Sequence, residues 1–378
     1  MNIVADENIP AVTEAFRSLG EVRLVPGRGL TAAQVAAADV LLVRSVSRVD
    51  EKLLAGSRVQ FVGSATIGFD HVDRDYLRAR GIGFATAPGS NATSAAEYVV
   101  SALLVLAERN GFTLAGRTVG IVGCGNVGSR VQARLTALGM QCLVNDPPRQ
   151  AAGAPGDYVD FATALQADIV TVHVPYTLAG THATHHMFDA QAIGQLRPGA
   201  VFLNTSRGAV ADNNALLAAL MQRDDLVVVL DVWEGEPSIS MPLLQRVALG
   251  TPHIAGYSLD GKLRGTDMIY RAACEFLGVD ASWDVRSALP AALAVNLPMD
   301  EGMSREAVVR AAVLGCYDIR EDDARLRGML ALDEAARPGY FDRLRKQYPV
   351  RREFAATRLT GKMQRPDVRA CLSGLGFL

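Results

Sequence analysis

The stretch Thr118-Val-Gly-Ile-Val-Gly-Cys-Gly-Asn-Val-Gly128 constrains the fold more than any other part of this chain. Val119, Ile121 and Val122 read as a buried parallel strand, and Gly123, Gly125 and Gly128 follow in the spacing G-x-G-x-x-G. Beyond them Val127, Val131, Leu135 and Leu138 recur at helical spacing, and Gly139 ends the pattern. Each glycine has its own task. Gly123 permits the tight turn, Gly125 lets a pyrophosphate approach the backbone, and Gly128 lets the helix pack close to the sheet. The helix N-terminus, at Asn126 and Val127, offers free N–H groups to the phosphates. A second strand, Gln141 to Asn145, delivers Asp146 eighteen residues after Gly128, where a carboxylate binds a ribose 2′-hydroxyl. Glycines alone also punctuate ordinary loops. Strand, glycines, helix, strand and acid in this order predict a dinucleotide site. Asp146 would repel the 2′-phosphate of NADP, so NAD is the expected cofactor. Arg149 argues the other way and is outweighed because the acid comes first.

A chain of 378 residues is expected to hold about two or three domains. In the first ninety residues, Ile3 to Ala5, Val22 to Val25, Val40 to Val43 and Val59 to Val62 read as strands. Helices are expected over Pro10 to Leu19 and after a Thr31 cap. The strand ends deliver Arg44-Ser45 and Ser64-Ala-Thr-Ile-Gly-Phe-Asp70. Open parallel sheets bind ligands outside the carboxyl ends of their strands, which makes Arg44, Ser45 and Thr66 candidates for substrate contact. Helix capping accounts for their positions equally well, and for Asp70 and Asp73 it is the preferred reading. Ala85 to Asn91 reads as a linker into a long apolar helix, Ala92 to Glu108, expected to be buried between two lobes. Strand patterns then return at Ile169 to Val174, Ala200 to Leu203, Val227 to Leu230 and around Thr251.

The expected fold is therefore α/β, with two doubly wound parallel-sheet lobes. A flavodoxin-like substrate lobe covers residues 1–92 and 256–285, and a Rossmann NAD lobe covers 93–255. Pro290 and Pro298 mark a connection to a final tract, 286–378. Its charged runs Arg320 to Arg327 and Phe341 to Arg352 are mixed in sign, as at a solvated face or an interface. A role in assembly is expected there rather than chemistry.

Composition narrows the function classes. A formal charge of −2 gives no basic excess, so nucleic acid is not an expected partner. The five cysteines are scattered without a C-x-x-C pair, which favours reduced thiols in a cytoplasm. No basic n-region precedes the acid at Asp6, so no signal peptide is expected. The most apolar run, Tyr98 to Ala107, is about half the ~20 residues a membrane span requires, so no membrane partner is expected.

Three residues stand at the ends of successive strands beyond the glycine turn: Arg207, Glu236 and His253. Singly, each has an ordinary explanation: a turn cap, a loop acid, a satisfied core histidine. Beside a dinucleotide site they fit the oxidation of a 2-hydroxy acid. That reaction needs a hydride acceptor, a base for the hydroxyl proton and a cation for the carboxylate. His253 suits the proton, with Glu236 orienting its other ring nitrogen and favouring the charged form. Arg207 suits the carboxylate through a bidentate pair. Asp231, Ser206 and Thr171 suit cofactor contacts better than acid–base roles. His182, His185 and His186 cluster in a polar loop, but no Cys or carboxylate accompanies them at ligand spacing, and no metal is expected.

Gly123 to Gly128 with Asp146, Asn204-Thr-Ser-Arg-Gly208, Trp233-Glu-Gly-Glu-Pro237 and Thr251-Pro-His253 together resemble the NAD-dependent D-isomer-specific 2-hydroxyacid dehydrogenases. The resemblance covers residues 1 to about 280, and all four motifs agree in order and spacing. It implies catalytic roles for Arg207, Glu236 and His253, and substrate contacts at Ser45, Thr66 and Tyr257. It implies NAD contacts at Asp146, Thr171, Ser206, Arg207, Asp231 and Gly256. Ala5 to Pro10, Asn145 to Arg149, His253 to Ser258 and Tyr317 to Asp323 with Phe341 to Arg345 resemble a branch of that family. That branch oxidises a small phosphorylated hydroxy acid on the route to pyridoxal 5′-phosphate, and it carries a C-terminal α+β domain that forms a homodimer. Its phosphate would reach away from Arg207, toward the lobe of Arg44, Ser45 and Thr66. The alternatives are a dehydrogenase of another small 2-hydroxy acid, such as glycerate or phosphoglycerate, and an NAD-sensing protein of the corepressor kind.

Overall fold

Short runs of Val, Leu, Ile and Phe bounded by polar turns become parallel strands, the central ones buried on both faces, as parallel sheets covered by helices require. The structure, a computed structural model, describes residues 1–296, 303–360 and 365–377; Pro298, expected to mark a connection, lies outside them. The chain divides into two units, Met1–Asn91 with Ser258–Ala291, and Ala92–Tyr257 with Ala292–Leu378.

In the first unit β1 (Asn2–Asp6), β2 (Glu21–Val25), β3 (Val40–Val43), β4 (Phe61–Ser64) and β5 (Gly83–Ala85) form a parallel sheet in the order β2-β1-β3-β4-β5. Alternate side chains along a strand serve opposite faces. Val4, Leu41, Val43 and Val62 pack with Leu53, Leu54 and Leu77. Ile3, Ala5, Leu42 and Phe61 pack instead on Ile269, Tyr270 and Cys274 of the helix Leu259–Leu277. The helix expected over Pro10 to Leu19 forms only over Val12–Phe16. Its end is tight: the N–H groups of Leu19 and Gly20 both return to the Phe16 carbonyl, at 2.9 and 3.3 Å.

In the second unit β6 (Thr118–Val122), β7 (Gln141–Asn145), β8 (Ile169–Val172), β9 (Val201–Asn204), β10 (Val227–Leu230) and β11 (Leu249–Gly250) form a sheet in the order β11-β10-β9-β8-β6-β7. Every pairing is parallel. The chain steps from β6 outward to β7 and then back past β6 to β8. That reversal opens a crevice outside the carboxyl ends of β6 and β8, where open α/β sheets bind their ligands.

The helix Ala92–Asn110 is buried from Ala92 through Ala107 apart from Thr93, and the sequence expectation placed it between two lobes. It shares one core with Ile121, Ile169, Leu203 and Val229 of the sheet. Val309, Ala312, Val313 and Ile319 from the end of the chain belong to the same core, and their helices pack on Ala92–Asn110. The final tract, with helices Arg305–Cys316, Ile319–Arg327, Arg337–Lys346 and Pro366–Leu375 and the parallel pair β12 (Leu293–Asn296) and β13 (Thr357–Thr360), thus shares the core of the second unit. Charge is buried with it. Glu97 Oε1 accepts the Phe354 N–H at 2.9 Å, with Arg134 at 3.8 Å and Arg351 at 3.9 Å from the carboxylate. Burial pushes the Glu97 carboxyl up to about 8 against the pull of Arg351. No helix among the described residues is long and apolar enough to cross a membrane.

Candidate active site

The glycine turn is shaped by backbone contact. Gly123 has φ +88°, a region that favours glycine, and a Cβ on Gly128 would lie 2.0 Å from the Gly123 carbonyl oxygen. A Cβ on Gly125, by contrast, would meet nothing within 4 Å. No side chain caps the N-terminus of the helix Asn126–Ala137 that starts there. Open space beside uncapped N–H groups fits a pyrophosphate. Asp146 Oδ2 accepts the Cys124 N–H at 2.7 Å and Oδ1 the Arg149 N–H at 3.1 Å. Each oxygen keeps a further lone pair for a ribose hydroxyl. The turn and the acid therefore suit a dinucleotide.

Arg207, Glu236 and His253 follow β9, β10 and β11, three neighbouring strands of one parallel sheet, so all three leave at the same end. Asn204 organises the first loop: its Oδ1 accepts the Ser206 N–H and Oγ–H at 3.0 and 2.8 Å, and its Nδ2 donates to the Arg207 carbonyl at 2.9 Å. The loops after β9 and β10 touch, since a Cβ on Gly208 would lie 2.0 Å from the Trp233 carbonyl oxygen. Only glycine fits there.

Glu236 is committed at both oxygens. Oε1 accepts the Trp233 N–H at 2.9 Å, and Oε2 lies 2.8 Å from His253 Nδ1. Burial works to raise its pKa, but the His253 charge and hydrogen bond, the Trp233 N–H and Arg345 hold the carboxyl below the usual carboxylate range. His253 has φ +56°, a left-handed conformation that strains a residue with a side chain. Asp231 holds it there. The Asp231 carbonyl accepts the His253 N–H at 2.7 Å; its carboxylate accepts from Thr251 Oγ1 at 2.6 Å and from the N–H groups of Ile254 and Ala255 at 2.7 and 3.0 Å.

The remaining expected residues divide. Thr171 is buried, with its hydroxyl 2.9 Å from His173 Nε2. Gly256 and Tyr257 lie in the turn just past His253 and are half-buried. In the first unit Arg44 Nε pairs with buried Asp6 at 3.0 Å, and Ser45 is exposed. Thr66 Oγ1 lies 2.8 Å from Ser64 Oγ, which also meets His71 Nε2 at 3.0 Å. Asp73 caps the helix Arg74–Ala79 as expected.

Folding brings to His186 the carboxylates that sequence spacing did not. Its Nε2 lies 2.7 Å from Glu234 Oε1 and its Nδ1 3.8 Å from Asp212 Oδ2, and one ligand atom from each residue falls within 4.8 Å of the others. Glu234 Oε2 also accepts the Asn213 N–H at 2.9 Å, and Asp212 Oδ1 caps the helix Asn213–Gln222. This group ties the loop after β10 to the segment after β9. His173 was also missed. It follows β8 as Arg207 follows β9, and a Cβ on Gly123 would lie 2.8 Å from its carbonyl group. Burial lowers its pKa to about 3, which leaves it neutral.

Residues 91–255 match the NAD binding domain of the D-isomer specific 2-hydroxyacid dehydrogenases, and residues 288–376 match a domain of unknown function. The chain is 49% identical over 377 residues to the erythronate-4-phosphate dehydrogenase of Azotobacter vinelandii, with 100% of this chain and 99% of that one covered. It is 53% identical over 363 residues to that of Salinibacter ruber, with 94% and 92% covered. The NAD+-bound 3-phosphoglycerate dehydrogenase of Entamoeba histolytica shares the fold, with a TM-score of 0.64 at 23% identity over 74% of this chain and 95% of that one. The chain is an NAD-dependent dehydrogenase and belongs to the erythronate-4-phosphate dehydrogenase family of D-isomer-specific 2-hydroxyacid dehydrogenases.

Proposed function

We propose that this chain oxidises 4-phospho-D-erythronate at C2 to 2-oxo-3-hydroxy-4-phosphobutanoate, on the route to pyridoxal 5′-phosphate. The observation that carries the chemistry is the 2.8 Å contact between His253 Nδ1 and Glu236 Oε2. It fixes the ring and leaves Nε2 as the atom that takes the C2 hydroxyl proton. Glu236, ionised and held by the Trp233 N–H, then stabilises the imidazolium that forms. Arg207 binds the C1 carboxylate through its two-pronged guanidinium and polarises the carbonyl growing at C2. NAD, held by the turn from Gly123 to Gly128 and by Asp146, supplies the hydride acceptor. Thr171, Ser206, Asp231 and Gly256 are the further cofactor contacts, and Ser45, Thr66 and Tyr257 the substrate contacts, that the family pattern supports.

A homodimer through the final tract and a cytoplasmic setting belong to the same reading. The first is supported by the likeness of Tyr317 to Asp323 and Phe341 to Arg345 to a dimerising domain, the second by five cysteines scattered along the sequence without a C-x-x-C pair. Light scattering of the purified protein tests the dimer.

The decisive assay is purified protein with NAD and a panel of hydroxy acids. NADH absorbance should rise with 4-phospho-D-erythronate and far less with glycerate or 3-phosphoglycerate. A signal from one of those acids and none from 4-phospho-D-erythronate sinks the reading.

A further inference from the structure

The substrate read above has an anion at each end, and Arg207 accounts for one of them. A phosphate monoester carries about −1.5 to −2 charges near neutral pH and is recognised by arginine forks. The expected cation of the first unit, Arg44, is already paired with buried Asp6 through Nε at 3.0 Å. In the second unit Arg351 donates to the carbonyls of Ser94 and Ala255, and Arg327 donates Nε to Asp323 and its Nη groups to the carbonyls of Leu244 and Val247. Arg345 differs from these.

Arg345 stands near the end of the helix Arg337–Lys346, in the tract that matches a domain of unknown function. Its guanidinium carbon lies 5.8 Å from the centroid of the Tyr257 ring. Tyr257 belongs to the turn that carries the catalytic base: its N–H donates to the Ile254 carbonyl at 2.8 Å, one residue past His253. The Tyr348 ring meets Tyr257 edge-on at 5.7 Å and fixes it from the same tract. Arg345 Nε is buried and has no hydrogen-bond partner among the described residues. A buried guanidinium donor with no acceptor is costly to the fold alone. Tyr257 bonds the guanidinium, while Glu236 and Asp231 act on it only at longer range; together they keep it charged although burial opposes the charge.

We propose that Arg345, brought by the final tract to the Tyr257 turn beside Glu236 and His253, binds the distal phosphate of the substrate. The final tract is then part of the active site, and it distinguishes a phosphorylated hydroxy acid from a plain one. Arg345 takes no part in proton or hydride movement. Its contribution is a charge-assisted pair with the phosphate oxygens, which orients C2 toward His253.

This rests on the phosphoerythronate reading, and one pair of ligands separates the two. For the wild type and Arg345→Met, kcat and KM are measured with 4-phospho-D-erythronate. The inhibition constant of D-erythronate, which lacks the phosphate, is measured against it. Arg345→Met should raise KM for the phosphorylated acid about 10²-fold, the scale for losing one partner of a buried charge pair. D-erythronate inhibition should stay within about threefold, a difference under 1 kcal/mol, and NAD affinity by fluorescence titration should not move. Equal losses for both ligands mean that Arg345 only supports Tyr257, and overturn the assignment; an unchanged KM does so too. A wild type inactive on 4-phospho-D-erythronate refutes the functional reading instead. Should Arg345→Met not fold, Arg345→Gln is judged by the same ratio of the two ligands.

Discussion

His253 shows how much surrounding structure one proposed catalytic side chain requires. Its ring is set by Glu236 and its left-handed backbone by Asp231, whose carboxylate is spent on Thr251, Ile254 and Ala255. An aspartate so enclosed acts on the histidine's turn before it acts on any ligand. His253→Ala should therefore separate chemistry from binding. We expect kcat to fall by roughly 10²-fold or more, the usual scale of general acid–base help, with NAD affinity near wild type. A variant with full turnover would remove His253 from its role. The placement of Arg207, Glu236 and His253 at strand ends was legible in the sequence, because each follows a strand pattern. The strain at His253 was not, since nothing in Thr251-Pro-His-Ile announces a positive φ.

At the scale of elements, the glycine turn was readable because backbone geometry leaves so few residues to choose from. Its three glycines nonetheless have opposite exposures to mutation. A methyl at position 128 would sit 2.0 Å from the Gly123 carbonyl oxygen, whereas one at position 125 would meet no protein atom within 4 Å. Gly128→Ala should thus lower the melting temperature by several degrees, about 2–4 °C for each kcal/mol in a domain of this size. Gly125→Ala should melt near the wild type and weaken NAD about tenfold or more, roughly 1.4 kcal/mol. Melting curves and NAD titrations of the two variants check this. Loss of stability in Gly125→Ala with NAD affinity intact would mean that the turn does not face the pyrophosphate. The group of His186, Asp212 and Glu234 was illegible for the converse reason. Its members come from three loops, and their register appears only once β8, β9 and β10 are aligned.

The whole molecule differs from its sequence reading chiefly at the end of the chain. Runs such as Arg320 to Arg327 and Phe341 to Arg352 look like a solvated face or an interface. In the fold much of that charge turns inward, onto the helix Ala92–Asn110. Arg351 stacks over the Tyr317 ring at 3.6 Å and reaches the Ser94 carbonyl, while Asp322 accepts from the hydroxyls of Tyr317 and Tyr348. Composition cannot show this, because a paired buried charge and a solvated one are written with the same letters. Glu97 is the test of how the joint works. Its carboxyl titrates at about 8 in the folded chain because burial outweighs its arginines, against about 4.3 when unfolded. A raised pKa in an acid contributes stability fully below the unfolded value, where both states are protonated. As pH rises beyond it, the unfolded chain ionises first and folding loses up to about 1.4 kcal/mol per pH unit, until the folded group ionises as well. Stability should therefore decline between about pH 4.3 and pH 8. Glu97→Gln keeps an acceptor for the Phe354 N–H and should lose most of that slope, as melting temperatures across the window will show. Parallel curves for the two proteins would mean instead that Glu97 is ionised in the fold, paired with Arg351 and Arg134 as a buried ion cluster.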